Sequence, residues 1–315
     1  MGFAADDFNR LWNSRPPNHP SVGPEETRRV QMQPEETRTI LITGCSSGIG
    51  YACAHGLRER GYRVFASVRR AEDVERLSDE GLEALRLDLD DPATIRDTVD
   101  RVLSRTQGRL YALFNNGAYT QVGAVEDLSR AVLRAQLETN LLGWHELTCR
   151  LIPVIRSQGY GHIVQNSSVL GLAALAYRGA YVASKFALEG LTDTLRLELA
   201  GSGIQVSLIE PGSIESRIRA NSCEKFRAHI DTEHSPHREQ YRAVERRLLR
   251  EGPVQPFTLP PQAVLRKLIH ALESPRPKPR YYVTVPTYLF GGLRGVLSSR
   301  GLDRVLTRTS GAGRR

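Results

Sequence analysis

The chain has 315 residues, 40% hydrophobic and 25% charged, an ordinary balance for a soluble globular protein. No stretch approaches the roughly 18 unbroken apolar residues of a membrane span, and Met1 to Arg38 lacks the apolar core of a signal peptide. Cys45, Cys53, Cys149 and Cys223 show no CxxC and no metal-ligand spacing, so no metal is expected and the thiols read as reduced, in a cytoplasm.

The net charge of +8 is concentrated at one end, where Pro275 to Arg315 carries nine Lys or Arg against the single acid Asp303. A basic tail on a neutral body reads as a solvated end or a weak membrane-surface contact. Basic and aromatic residues are not interleaved as nucleic-acid binding on a sheet would need, so no nucleic acid is expected.

Along the chain, residues 1–38 hold five prolines (Pro16, Pro17, Pro20, Pro24, Pro34) and the near-repeat Pro24-Glu25-Glu26-Thr27-Arg28 and Pro34-Glu35-Glu36-Thr37-Arg38. That composition predicts a disordered or loosely attached leader. From Thr39 short apolar runs alternate with amphipathic stretches, the pattern of βαβ units. Strands are expected at Thr39 to Ile42, Arg63 to Ser67, Glu83 to Arg86, Ala112 to Phe114, His162 to Asn166, Gln205 to Ile209 and Tyr281 to Val285. Long helices are expected over Arg130 to Gln158 and Tyr177 to Gly201. The sum is an α/β, doubly wound (Rossmann-like) fold: a parallel seven-stranded sheet flanked by helices, in a single domain at 39–285. Residues 215–260, rich in Arg, His and Glu, interrupt the rhythm after a strand end, where a substrate lid would sit. Residues 286–315 form a basic C-terminal extension.

Two local patterns carry chemistry. Thr43-Gly44-Cys45-Ser46-Ser47-Gly48-Ile49-Gly50 lies between the first strand and the first helix. Its glycines let the backbone approach a phosphate, and the helix N-terminus supplies N–H groups for an anion. Farther on, Tyr181 and Lys185 stand four apart, on one face of an expected helix. A nearby ammonium favours phenolate, so the pair could exchange a proton with an alcohol or carbonyl oxygen.

Two further residues stand in register with that pair: Ser168 lies thirteen positions before Tyr181, and Asn140 lies 28 before Ser168. On these motifs the chain resembles a short-chain dehydrogenase/reductase over about Thr39 to Ser216. Within that family it looks like the hydroxysteroid and retinol dehydrogenase branch and its bacterial aldehyde-reductase relatives. The resemblance implies four catalytic residues. Ser168 would hydrogen-bond the carbonyl oxygen and Tyr181 would donate the proton. Lys185 would assist and meet the ribose hydroxyls, and Asn140 would hold a water beside Lys185.

The resemblance also implies a cofactor site. Gly44, Ser46, Ser47, Gly48, Ile49 and Gly50 form the phosphate loop, and Asp88 would meet the adenine. Asn115 belongs to Asn115-Asn116-Gly117-Ala118, where the family's last two small residues are exchanged. Pro211, Gly212, Ile214 and Ser216 would grip the carboxamide, with Ser216 in place of the family's threonine. At the end of the second strand, where NAD-specific members carry an acid, stand Val68, Arg69 and Arg70. Arg69 could fork onto a 2′-phosphate, which favours NADP(H) over NAD(H). The expected activity is hydride transfer between NADP(H) and an aldehyde, ketone or alcohol, with a lipophilic carbonyl as substrate, in a homo-oligomer (dimer or tetramer). The alternative is an NADP(H)-binding regulatory sensor without turnover. Against it stands the intact Asn140, Ser168, Tyr181 and Lys185 set, for which a sensor has no use.

Overall fold

The computed structural model describes residues 37–250, 252 and 256–310, so nearly all of the expected leader lies outside the described residues. Seven parallel strands form one sheet in the order β3-β2-β1-β4-β5-β6-β7. They are β1 (Thr39–Thr43), β2 (Arg63–Val68), β3 (Glu83–Arg86), β4 (Ala112–Asn115), β5 (Gly161–Asn166), β6 (Ile204–Glu210) and β7 (Arg280–Tyr282). The doubly wound sheet expected from the alternating pattern is therefore present. Its strand order reverses between β1 and β4, and ligands of such sheets bind in the crevice this reversal opens at the strand C-termini.

Both faces of the sheet's middle are covered, so the central strands are largely apolar and all five residues of β1 are buried, while the edge strand β3 keeps Arg86 exposed. Successive residues of β1 serve opposite faces. Ile40 and Ile42 join a core with Cys53 and Leu57 of α1 (Gly48–Glu59) and with Val264 and Leu268, which lie on a helix near the C-terminal end. Leu41 joins a second core with Val99, Trp144, Leu147 and Leu188 from the other side. The crossovers on these faces are α2 (Ala71–Asp79), α3 (Pro92–Arg105), α4 (Arg130–Leu137), α5 (Gly143–Gln158) and α6 (Gly179–Glu198). After β6 come α7 (Ile218–His229), α8 (Arg238–Leu249) and α9 (Gln262–Glu273), the last of which supplies Val264 and Leu268. Phe226 of α7 and Tyr241 and Leu248 of α8 bury together with Val122 in a small core of their own.

Three expected boundaries shift for physical reasons. The helix expected over Arg130 to Gln158 is broken by one wider π turn, Glu138–Leu142, between α4 and α5. The helix expected from Tyr177 begins at Gly179, because Tyr177 has a positive φ of 62° that no helix accepts. β7 ends at Tyr282 and not at Val285, since Pro286 opens a further helix, α10 (Val285–Val296). Alternating apolar residues run on through the cap of that helix, which made the strand look longer. The basic extension contributes α10 and α11 (Ser299–Ser310). Among the described residues no helix is long and apolar enough to cross a membrane.

Candidate active site

The glycine loop occupies the crevice between β1 and β4. Gly44 adopts φ +71°, a left-handed conformation, and a Cβ there would lie 2.5 Å from the Cα of Gly117. A Cβ on Gly50 would lie 2.2 Å from the Gly44 carbonyl oxygen. The loop is thus packed main chain on main chain, leaving N–H groups and small hydroxyls to face a ligand. Thr43 fixes it to β4: its Oγ1 accepts from the N–H groups of Asn116 and Gly117, both at 2.8 Å. The Asn116 side chain returns the bond, donating to the Thr43 carbonyl at 2.9 Å.

From this loop a groove of about 380 Å³ runs past the ends of β2 and β3, lined by Ser46, Ser47, Val68, Arg69, Arg70 and Asp88. Arg69 and Arg70 are exposed, whereas the neighbouring Arg76 is tied to Asp73 at 2.8 Å and to Glu80 at 3.0 Å. Asp88 caps its own turn, its Oδ1 accepting from the Asp90 N–H at 3.1 Å. Ile49 packs against the core behind the loop. Asn115 also turns away from the groove: its amide donates to Thr148 of α5 at 2.9 Å and no part of it is exposed. The segment after β4 therefore meets the loop through Asn116 and Gly117, and the exchange of its small residues leaves the close approach intact. The residues fit a dinucleotide, with a backbone cradle that a Cβ would fill and a basic rim at the second strand.

The catalytic candidates converge at the ends of β5 and α6. Ser168 follows β5, and its Oγ accepts from the Leu170 N–H at 3.1 Å while also hydrogen-bonding the Tyr181 phenol. Tyr181 is buried on the first turns of α6. Burial pushes its pKa up to about 12, with the Ser168 hydrogen bond a smaller opposing influence. Lys185, one turn on, is buried as well. Its Nζ donates to the Asn166 carbonyl at 2.7 Å and lies 4.4 Å from the centre of the Trp144 ring and 5.6 Å from that of Tyr181. Burial pulls the Lys185 pKa down to about 7, against the opposing pull of Glu189. From sequence the Lys185 ammonium is expected to lower the phenol; in this structure desolvation sets the direction, and the opposing influence comes from the Ser168 hydrogen bond.

Asn140 sits in the π turn. That wider turn carries its side chain inward, where Nδ2 donates to the Tyr119 carbonyl at 2.9 Å and to Ser184 Oγ at 3.3 Å. Ser184 precedes Lys185 on α6, so Asn140 is brought beside the lysine's turn. On the far side, the Pro211 carbonyl accepts from the Val169 N–H at 2.8 Å, joining the loop after β6 to the Ser168 loop. Gly212 is pressed against Thr284, Ile214 bridges to Leu259, and a Cβ on Gly48 would reach within 3.0 Å of the Ser216 Cβ. The segment from Pro211 to Ser216 thus spans from the serine loop to the phosphate loop.

Residues 38–226 match the family model for short chain dehydrogenase. The chain belongs to the short-chain dehydrogenase/reductase family. It is 40% identical over 269 residues to the uncharacterized oxidoreductase YbbO of Escherichia coli K12, covering 85% of this chain and 94% of that protein. It is 31% identical over 261 residues to 17-beta-hydroxysteroid dehydrogenase type 1 of Homo sapiens, covering 78% of this chain and 77% of that protein. A solved short-chain dehydrogenase from Streptomyces avermitilis superposes with a TM-score of 0.69 at 28% identity, covering 90% of this chain and all of that one. This dehydrogenase/reductase chain is therefore an oxidoreductase, from a family that binds a nicotinamide cofactor and acts on small molecules.

The family's motifs left some of this site unread. Asn116, Asn166 and Trp144 hold it together: Asn166 donates to the Asn116 side-chain oxygen at 2.8 Å, and Trp144 donates to the Gly117 carbonyl at 2.8 Å. The polar Asn115-Asn116 doublet at a strand end was a signal for the first. Nothing in the local sequence marks Trp144, whose role depends on the π turn that precedes it.

Proposed function

We propose that the protein is an NADP(H)-dependent carbonyl reductase or alcohol dehydrogenase, working on a lipophilic aldehyde or ketone, with Tyr181 as general acid and base. The observation that carries this reading is the buried triplet in which the Ser168 hydroxyl meets the Tyr181 phenol while Lys185 lies one turn behind. A nicotinamide, when bound, supplies or takes the hydride. The chain's own residues handle the oxygen and the proton. Ser168 donates to the carbonyl oxygen as it gains charge. Tyr181 is protonated at neutral pH, as an ordinary phenol would be, and although burial weakens it as an acid it can give its proton to an oxygen that becomes strongly basic as hydride arrives. Lys185, with a pKa near 7, and the Asn140-bearing turn lie where the phenol can be reprotonated.

The exposed Arg69 and Arg70 at the groove, without an ion pair among the described residues, support NADP(H) over NAD(H), since a charge-assisted fork to a 2′-phosphate is what they can offer. We read residues 39–285 as the catalytic domain and 215–260, containing α7 and α8, as its lid. Exposed Leu133, Leu142 and Leu191 on α4, the π turn and α6 support a homo-oligomer, a dimer or tetramer. Exposed Tyr288, Leu289 and Val296 beside the arginines of the extension support a weak membrane-surface contact. Four free cysteines, three of them buried, fit a cytoplasmic setting.

The test is NADPH oxidation by the full chain across aliphatic and aromatic aldehydes, quinones, steroids and retinal. Turnover is expected on at least one of them. Tight NADPH binding with no turnover on any class would refute the enzyme and leave the regulatory sensor.

A further inference from the structure

A second cavity, of about 420 Å³, lies on the lid side, against the loop that follows β6. Leu175, Ile214 and Leu248 give it apolar walls, and Arg178, Arg219 and Arg247 also line it. Glu215 is the one acid among its lining residues; it is exposed, and among the described residues it makes no ion pair with these arginines.

The three arginines are not equivalent. Arg219 is spent on main chain, donating to the Arg250 carbonyl at 2.7 Å. Arg178 is partly buried and donates to the Tyr177 carbonyl at 3.1 Å, with no carboxylate partner among the described residues. Arg247, partly buried on α8, has none either. The two charges feel each other: burial first, and then Arg247, pulls the pKa of Arg178 down to about 10. Several partly buried arginines elsewhere in the described residues have acids, although Arg58 has only the Glu80 main-chain carbonyl. Arg63 has Glu83, and Arg280 has Glu189, Glu210 and Asp193. Among the described residues these two like charges face one cavity without a counter-ion, a cost in free energy that an anion entering the cavity would recover. A planar guanidinium matches a carboxylate in two bonds, and the apolar walls suit a hydrocarbon chain leading to it.

Arg178 also stands three residues before Tyr181, at the cap of α6, an offset of about 4.5 Å of helix rise. An anion held by Arg178 and Arg247 would therefore be tethered to a carbonyl several bonds away. We propose that this cavity is a carboxylate subsite, and that the enzyme's substrates are carbonyl compounds carrying a terminal carboxylate on an apolar chain, ω-oxo acids rather than α-keto acids. The proposal rests on the reading of Tyr181 as the reacting end and adds the recognition of the other end.

The test pairs 9-oxononanoate with its methyl ester as substrates of the full chain with NADPH, and measures nonanoate binding to the NADP⁺-loaded protein by calorimetry. The variants are Arg178→Leu, Arg247→Leu and Arg247→Gln, the last placed on a partly exposed position so that a folded protein is in hand. We expect the acid to exceed the ester in kcat/KM by about tenfold or more, through a lower KM. That ratio falls about tenfold in the Leu and Gln variants, and nonanoate binding weakens in parallel. An acid-to-ester ratio near one in the parent, or one unmoved by the variants, overturns the subsite. Turnover of the ester with no preference for the acid would remove the subsite and leave the reductase. Nonanoate binding that depends on Arg247, without turnover of either compound, would do the reverse.

Discussion

On the nucleotide side, the wall of the site is main chain. Gly44, Gly50 and Gly117 touch backbone to backbone, and Thr43 accepts the N–H groups of Asn116 and Gly117. On the lid side the wall is side chain. Arg178 comes from the cap of α6 and Arg247 from α8, far apart in the chain, and α7 and α8 are held by the small core around Phe226 and Tyr241 together with side-chain bonds such as His237 to Glu126 and Ser235 to Asp127. The first wall allows almost no variation, because a single added methyl would strike a peptide group. In the second, exchanging a lining side chain reshapes the pocket without striking main chain. A site built this way keeps one reaction while its substrate changes.

The largest effect is expected at Lys185, which serves the catalytic end of the crevice and yet is costly there. Its folded pKa lies near 7, below the unfolded value of 10.5. Below about pH 7 both states carry the proton and the burial cost is complete. Between 7 and 10.5 the unfolded state binds more protons, so stability rises with pH. Replacing Lys185 with Met removes a cost on the order of a few kcal/mol, offset in part by the lost bond to the Asn166 carbonyl. The Met variant should melt at a higher temperature than the parent at pH 7, lose the rise in stability towards pH 10, and turn over roughly a thousandfold more slowly. A lower melting temperature at pH 7, together with a retained pH slope, would show that Lys185 is not the group that burial penalises.

A smaller effect is expected at the groove's open end, where charge and not backbone contact makes the choice. Arg69→Asp should reduce the NADPH-to-NADH ratio of kcat/KM by about ten- to a hundredfold, the worth of one charge-assisted hydrogen bond. An unchanged ratio in a folded variant would remove Arg69 from the site.

The same contrast explains what could be read from the sequence. Most of the strands were legible because a parallel sheet buried on both faces needs largely apolar runs, although the edge strand β3, with Glu83 and Arg86, carries only two apolar residues. The glycine loop was legible because only glycine fits where main chain meets main chain. β7 was misplaced by a few residues, since Val283 and Val285 continue an apolar alternation past the point where Pro286 starts a helix. The π turn at Glu138–Leu142 left no local signature, although it aims Asn140, because one wider turn changes hydrogen bonding without changing composition. Asn115 and Asn116 are adjacent and identical, and only strand direction decides that the first meets Thr148 while the second clasps the loop. The pairing of Arg178 with Arg247 is a tertiary event that no spacing rule encodes.

The most direct measurement of the central claim compares Tyr181→Phe with the parent on whichever carbonyl is turned over best, with NADPH binding followed by fluorescence in both. The expected result is a loss of kcat/KM of about a thousandfold or more, with NADPH affinity unchanged within a few fold. Activity within tenfold of the parent, at equal NADPH occupancy, would contradict it.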